Sequence, residues 1–357
     1  MTIVMSIRKA LMQKPLIAAA RGHQPQRRPV WFLRQAGRYL PEYLEVRKRV
    51  EFTELCRTPK LAAEVTLQPL KRYDLDASII FSDILVPCMP MGQELTFGKG
   101  HGPQLAPPIR SKEDLKRLRH PDVEGELGYV GEAIELVAQS LQPHQTMIGF
   151  AGAPFTVASY MIEGAGSKTF TEVKRLRYTH PEVFQGVLDL LSEVTVDYLL
   201  MQVKAGAEVL MLFDTWANQM PAVDYRDFLF PAVQKVIRAV KDRADVPVIY
   251  YPGQGTDLYF ELTDYAGDVI AVDWRTRLPR AIKLLKQVGL NVSVQGNLDP
   301  QVLMADETTV RRATREVLEG AKESRAHIFN VGHGLMPHLN PEAIHWAIDE
   351  VRRFDEG

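Results

Sequence analysis

Eight short, continuously apolar runs recur along this chain, and each breaks off at a polar residue, Gly or Pro. They are PVWFLR (29–34), ASIIFSD (77–83), TMIGFAGAP (146–154), VLMLFDT (209–215), PVIYYPG (247–253), VIAVDW (269–274), VSVQGNL (292–298) and HIFNVGH (327–333). Runs that are apolar throughout, rather than alternating, are what parallel strands covered on both faces require. Most are separated by stretches with helical period, clearest at 61–72, 125–141, 181–204, 225–243, 280–288 and 306–319, and 341–353 reads as a closing helix. Eight such alternations in 357 residues predict an α/β chain folded as a single (β/α)8 TIM barrel over residues 1–357, with a doubly wound sheet as the second choice. No linker, low-complexity tract or repeat divides the sequence.

Composition narrows the classes of function. A hydrophobic content of 46% supplies an ample core. A net charge of −1 and a pI near 6.8 argue against a nucleic-acid or membrane-surface binder. No run approaches the ~18 apolar residues of a membrane span. Only Cys56 and Cys88 are present, without metal-like spacing, which suits free thiols in a reducing compartment. The N-terminus carries no acidic residue before Glu42, but Arg8, Lys9 and Lys14 interrupt its apolar residues. Residues 6–22 therefore read as a short amphipathic helix of the folded body, and a cytoplasmic protein without a leader is expected. The connection at 85–110 is unusually long and rich in Pro and Gly. It reads as a binding loop or lid, or as a surface hairpin.

In a barrel the chemistry sits at the C-terminal ends of the strands. The polar residues collect there: Arg34 after the first run, Asp83 after the second, Tyr160 just beyond the third, Asp214 and Thr215 after the fourth, and Asn330 to His333 after the last. Arg34 and Arg38 bracket Gln35, Ala36 and Gly37 in WFLRQAGRYLPEY (31–43). Four residues apart, the two guanidiniums share a face if the turn is helical, and such pairs suit bidentate capture of carboxylate or phosphate. The alternative is a solvated turn. Asp83 is costly at an apolar strand mouth unless paired or used, or else it caps a turn, and Asp214 has the same two readings. The P-loop, GxSxG and dinucleotide fingerprints are absent, as is any Cys/His cluster at zinc-ligand spacing.

Six blocks carry a resemblance. WFLRQAGRYLPEY, IIFSDILVP, GFAGAPFTVASYMIEG, LFDT, QGNLDP and FNVGHG resemble, in order and across nearly the whole chain, the signature stretches of the uroporphyrinogen decarboxylase family. There are small departures. His338 follows GHGLMP where an acid is common, and Ala217–Asn218 follow FDTW where small residues are usual. The resemblance implies one barrel, a homodimer and no cofactor. The implied substrate is uroporphyrinogen III, a cyclic tetrapyrrole bearing four acetates and four propionates. The implied product is coproporphyrinogen III, each acetate having become methyl with release of CO2.

Residue by residue, the resemblance implies that Asp83 accepts hydrogen bonds from the pyrrole N–H groups and opposes a developing cation. It implies that Arg34 and Arg38, with the turn Gln35–Ala36–Gly37 between them, grip carboxylate arms. Tyr160, Thr215 and His333 match further polar contacts, and Phe81, Phe150 and Phe213 match apolar walls beside the macrocycle, although ordinary strand core would explain the three phenylalanines equally. Family mechanism points to Arg34 as proton donor. A guanidinium with a pKa above ~12 is a poor acid, so Tyr160, His333, water and a substrate carboxyl stand beside it. Two other readings remain on the same barrel: a corrinoid- or thiol-dependent methyltransferase, and a non-catalytic tetrapyrrole carrier.

Overall fold

The computed structural model describes residues 14–98, 102–255, 257–262 and 264–356. The expected helix at 6–22 lies partly outside them. Its described part is Pro15–Ala20. Seven of the eight apolar runs form strands of one parallel sheet: Ala77–Ile79 (β1), Thr146–Gly152 (β4), Val209–Phe213 (β5), Val248–Tyr251 (β6), Val269–Ala271 (β7), Ser293–Gln295 (β8) and His327–Ile328 (β9), hydrogen-bonded in the order β1-β4-β5-β6-β7-β8-β9. Most of their residues are buried on both faces. This is the pattern of a parallel sheet sheathed by helices. The long connection contains an antiparallel hairpin, Glu94–Phe97 (β2) with Pro103–Ala106 (β3). It is therefore built as a hairpin rather than an open loop.

The first run departs from its expected form. Residues 30–33 are buried as a strand would be, yet they form no strand of the sheet, and the bridge found for them among the described residues joins Val30 to Phe329. Side chains divert the backbone beyond it. The Leu33 N–H donates to the Asn330 side-chain amide oxygen (2.9 Å), and the Phe32 N–H donates to Gln35 Oε1 (3.1 Å). Arg34 then adopts φ 61°, in the left-handed region that a bulky residue occupies only when its surroundings enforce it. Val30 nevertheless meets both edges of the sheet. It bridges Phe329 next to β9, and its carbonyl accepts the Asp76 N–H beside β1 (2.9 Å).

The expected helices are present at Pro59–Arg72, Val123–Ala138, Pro181–Lys204, Leu278–Gln287, Glu307–Gly320 and Pro341–Glu356. The stretch 225–243 opens instead with a π-turn, Tyr225–Leu229, before the α-helix Phe230–Arg243. Pro231 has no N–H to return to the preceding turn, so the ladder is widened just ahead of it. Helices without a clear period in the sequence are Pro41–Arg47, Phe52–Arg57, Pro154–Glu163 and Thr171–Thr179. Two of these start at a proline, where the missing N–H costs nothing and the fixed φ is already helical. Among the described residues no helix is long and apolar enough to cross a membrane.

Candidate active site

The C-terminal ends of the strands open into a cleft of about 420 Å3. The twelve residues that the resemblance assigns to the site all border it: Arg34, Gln35, Ala36, Gly37, Arg38, Phe81, Asp83, Phe150, Tyr160, Thr215, Phe213 and His333. They arrive from five of the eight apolar runs and the segments that follow them. Asp214, Ala217, Asn218 and His338 do not border it.

The turn after the first run is a rigid holder for two exposed guanidiniums. Gln35 is buried, and its amide joins the Phe32 N–H to the Ala77 carbonyl (3.1 Å each), so its side chain clamps the turn to β1. Its carbonyl accepts the Tyr39 hydroxyl (2.8 Å). A Cβ on Gly37 would lie 2.9 Å from the Arg34 carbonyl, and one on Gly334 would lie 2.3 Å from Arg34 Cδ. Gly334 thus leaves the space through which the Arg34 side chain runs. Neither Arg34 nor Arg38 has a carboxylate within ion-pair distance among the described residues. No ion pair ties up either guanidinium, which leaves both available to anions.

Asp83 sits half-buried on the cleft floor. Oδ1 accepts the Leu85 N–H (2.9 Å), which fixes the carboxylate and leaves Oδ2 without a protein hydrogen bond among the described residues. Burial raises its pKa, opposed by the Leu85 N–H and by the charge of Arg34. Burial likewise lifts the Tyr160 phenol, with Trp216 and Arg34 opposing and Asp83 reinforcing the rise. His333 is shifted the other way. Burial first, then the charges of Arg34 and Arg275, depress it, against Asp273, so the imidazole is neutral at neutral pH. An anion, two cations and two neutral proton-bearing groups thus face one cleft.

The apolar wall is aromatic. Phe150 and Phe213 meet edge to face at 5.7 Å. Phe81 touches both Tyr43 (5.6 Å) and Phe52 (5.8 Å), and Phe52 packs on Phe97 of the hairpin at 4.6 Å. Pro103, at the other side of the hairpin, also borders the cleft. Through this chain of rings the excursion forms part of the wall, which was one of its two expected uses. Tyr43, Phe52, Tyr251, Leu335 and Pro337 also line the cleft and were not singled out from sequence. The signal for Tyr251 was available, since it ends the apolar run VIYY just as Asp83 and Thr215 follow theirs.

Asp214 is resolved as structural. It is fully buried, with Oδ1 accepting the Thr156 hydroxyl (2.8 Å) and Oδ2 the Tyr250 hydroxyl (3.0 Å). Burial pushes its pKa up to about 6, the two hydroxyls opposing. Thr156 Oγ1 in turn accepts the Trp216 N–H (3.2 Å). The carboxylate therefore shapes the turn that carries Thr215 into the cleft. Cys56 and Cys88 are free and buried, and burial raises both thiols, the charge of Asp83 adding to the rise, which makes them poor nucleophiles. Among the described residues no three His, Cys, Asp or Glu side chains are grouped to hold a metal.

The family model for uroporphyrinogen decarboxylase (URO-D) matches residues 11–354. A uroporphyrinogen decarboxylase of Geobacter metallireducens is 43% identical over 347 residues, covering 97% of this chain and all of the relative. One from Citrifermentans bemidjiense is 43% identical over 328 residues, covering 91% of this chain and 94% of the relative. Among solved structures, a methyltransferase from Methanosarcina mazei superposes with a TM-score of 0.81 at 20% identity, covering 96% of this chain and 98% of that one. At that identity the likeness is one of fold.

Proposed function

The chain belongs to the uroporphyrinogen decarboxylase family, and from that premise we propose how this cleft removes CO2 from the acetate arms of uroporphyrinogen III in tetrapyrrole biosynthesis. The observation that carries the reading is Asp83: a carboxylate on the floor, pinned by Leu85 N–H, with one oxygen facing a cleft walled by phenylalanines. Decarboxylation needs a sink for the electron pair of the breaking C–C bond. An electron-rich pyrrole supplies one when a proton adds to its ring carbon. The resulting cation is stabilised by Asp83, whose free oxygen accepts from the pyrrole N–H groups. The pair then flows into the ring, CO2 leaves, the exocyclic methylene takes a proton and the ring carbon gives one up. The net uptake is one proton per acetate. Four rounds give coproporphyrinogen III.

Arg34 and Arg38 hold the carboxylates. The left-handed backbone of Arg34 and the gap above Gly334 support this role, because a solvated arginine would need neither. Arg34 also stands within electrostatic reach of Asp83, Tyr160 and His333, so it belongs to the catalytic group and not only to the grip. Tyr160, Thr215 and His333 contact the arms, and Phe81, Phe150 and Phe213 flank the macrocycle.

The same reading takes residues 1–357 as one domain and the sheet as closed into a (β/α)8 barrel. It is supported by Val30, which bonds toward both sheet edges. It also takes the chain as a homodimer. Tyr178, Val223 and Phe260 expose large apolar side chains, and Tyr178 bonds Asp224 beside Val223 (3.2 Å). A monomer by sedimentation at micromolar concentration would overturn the dimer alone. The function is tested by anaerobic incubation of the purified chain with uroporphyrinogen III and no added cofactor, with products separated by chromatography. Coproporphyrinogen III with transient seven-, six- and five-carboxylate species is the expected result. Binding without turnover would instead favour a carrier.

A further inference from the structure

Tyr251 is the last residue of β6, three strands along the sheet from β1. It borders the cleft, yet its side chain is buried and its hydroxyl has no hydrogen-bond partner among the described residues. A buried hydroxyl left unbonded forfeits its hydration without a return. Native cores seldom retain one without a use.

The turn after β7 stands beside it and is held from several directions. Asp273 is buried. Its Oδ2 accepts the Gly255 N–H (2.7 Å) and its Oδ1 the Arg275 N–H (2.6 Å). Asn297 Nδ2 donates to the carbonyls of Asp273 (2.8 Å) and Thr276 (2.6 Å). A Cβ on Gly332 would lie 2.1 Å from the Trp274 nitrogen, so the strand end carrying His333 lies directly on this turn. Arg275 is exposed, stands outside the cleft lining and stacks its guanidinium over Trp274, 4.3 Å from the ring centroid. With Asp273 engaged by backbone amides, Arg275 has no carboxylate within ion-pair distance among the described residues. Its charge acts on both Tyr251 and His333.

We propose that Tyr251, His333 and Arg275 form a second carboxylate subsite, which takes a peripheral acid arm of the substrate different from the one held by Arg34 and Arg38. The subsite rests on the decarboxylase reading for the identity of its ligand. The carboxylate accepts the Tyr251 O–H and an imidazole N–H at the wall, and the Arg275 guanidinium closes over it from the rim. The platform of Trp274 preorganises that guanidinium, so little side-chain freedom is lost on binding.

The test sets binding against stability. Tyr251→Phe removes an unbonded hydroxyl and keeps the ring. It is expected to leave the denaturation midpoint unchanged or raised while KM for uroporphyrinogen III rises about tenfold or more, the range for a hydrogen bond to a charged group. Arg275→Ala is expected to raise KM similarly, and Arg275→Lys to recover part of the loss. Fluorescence titration with uroporphyrin, the oxidised octacarboxylate, should show the same order of affinities. If wild type turns over but both variants keep KM and porphyrin affinity within twofold, the subsite is overturned. A wild type that binds the octacarboxylate without turnover counts against the decarboxylase reading instead, and the titration then still decides the subsite.

Discussion

Asp83→Asn is expected to fold normally and to lose uroporphyrinogen III turnover by roughly two to three orders of magnitude in kcat, the effect of one preorganised electrostatic group worth ~3–4 kcal/mol. Asparagine keeps the shape, and its oxygen still accepts the Leu85 N–H. What is lost is the negative charge and an acceptor on the cleft side. The pyrrole cation exists only along the reaction, so the loss falls on kcat and kcat/KM together, with KM little changed. The measurement is anaerobic single-turnover kinetics of both proteins, with circular dichroism to check the fold. A variant within tenfold of wild type would remove Asp83 as the cation's partner while leaving the family assignment untouched. Because burial already raises the Asp83 pKa, the removal of a neighbouring guanidinium should raise it further. The Arg34 and Asp83 contributions are therefore coupled, and a double variant should fall short of the sum of the singles.

Much of this site is legible in the sequence, for a physical reason. In a parallel sheet each apolar run ends where the chain leaves the core, so the polar residues just after each run are delivered to one end of the sheet. Arg34, Asp83, Thr215 and His333 follow from that rule, and all border the cleft. The rule cannot tell a residue that faces the cleft from one that turns beneath it. Asp214 and Thr215 are adjacent, yet Asp214 is tied under the floor by Thr156 and Tyr250. Those partners lie 58 and 36 residues away, and no local pattern announces them. The first strand was over-read for the same reason. The apolarity of 29–33 correctly signals burial, but the ladder is interrupted by Asn330 and Gln35 side chains that compete for its N–H groups. Periodicity also missed the helix Pro154–Glu163, almost wholly buried, because a helix covered on all sides has no polar face to mark its period.

Asp76→Ala is the largest stability loss expected from a single side chain, and its cause lies on the far side of the sheet from the cleft. Asp76 is fully buried just before β1. Oδ1 accepts from Arg27 Nε (2.8 Å) and Nη2 (2.5 Å), and Oδ2 accepts from the Val30 N–H (2.7 Å) and Arg352 Nη2 (2.8 Å). One carboxylate thereby joins the segment before the first run, β1 and the C-terminal helix Pro341–Glu356. Its removal leaves the Val30 N–H and two guanidiniums facing a buried void. Breaking a buried pair in this way costs about 3–5 kcal/mol. The denaturant midpoint should fall accordingly, and Tm by roughly 4–7 °C. The two arginines are partly exposed and regain some hydration, which places the loss toward the lower end. Val30 is four residues from Arg34, so loosening it should also raise KM for the substrate in protein that is still folded. A midpoint within experimental error of wild type would show that Val30, bonded to Phe329 and Asp76 through the backbone alone, holds the first segment in place without the carboxylate.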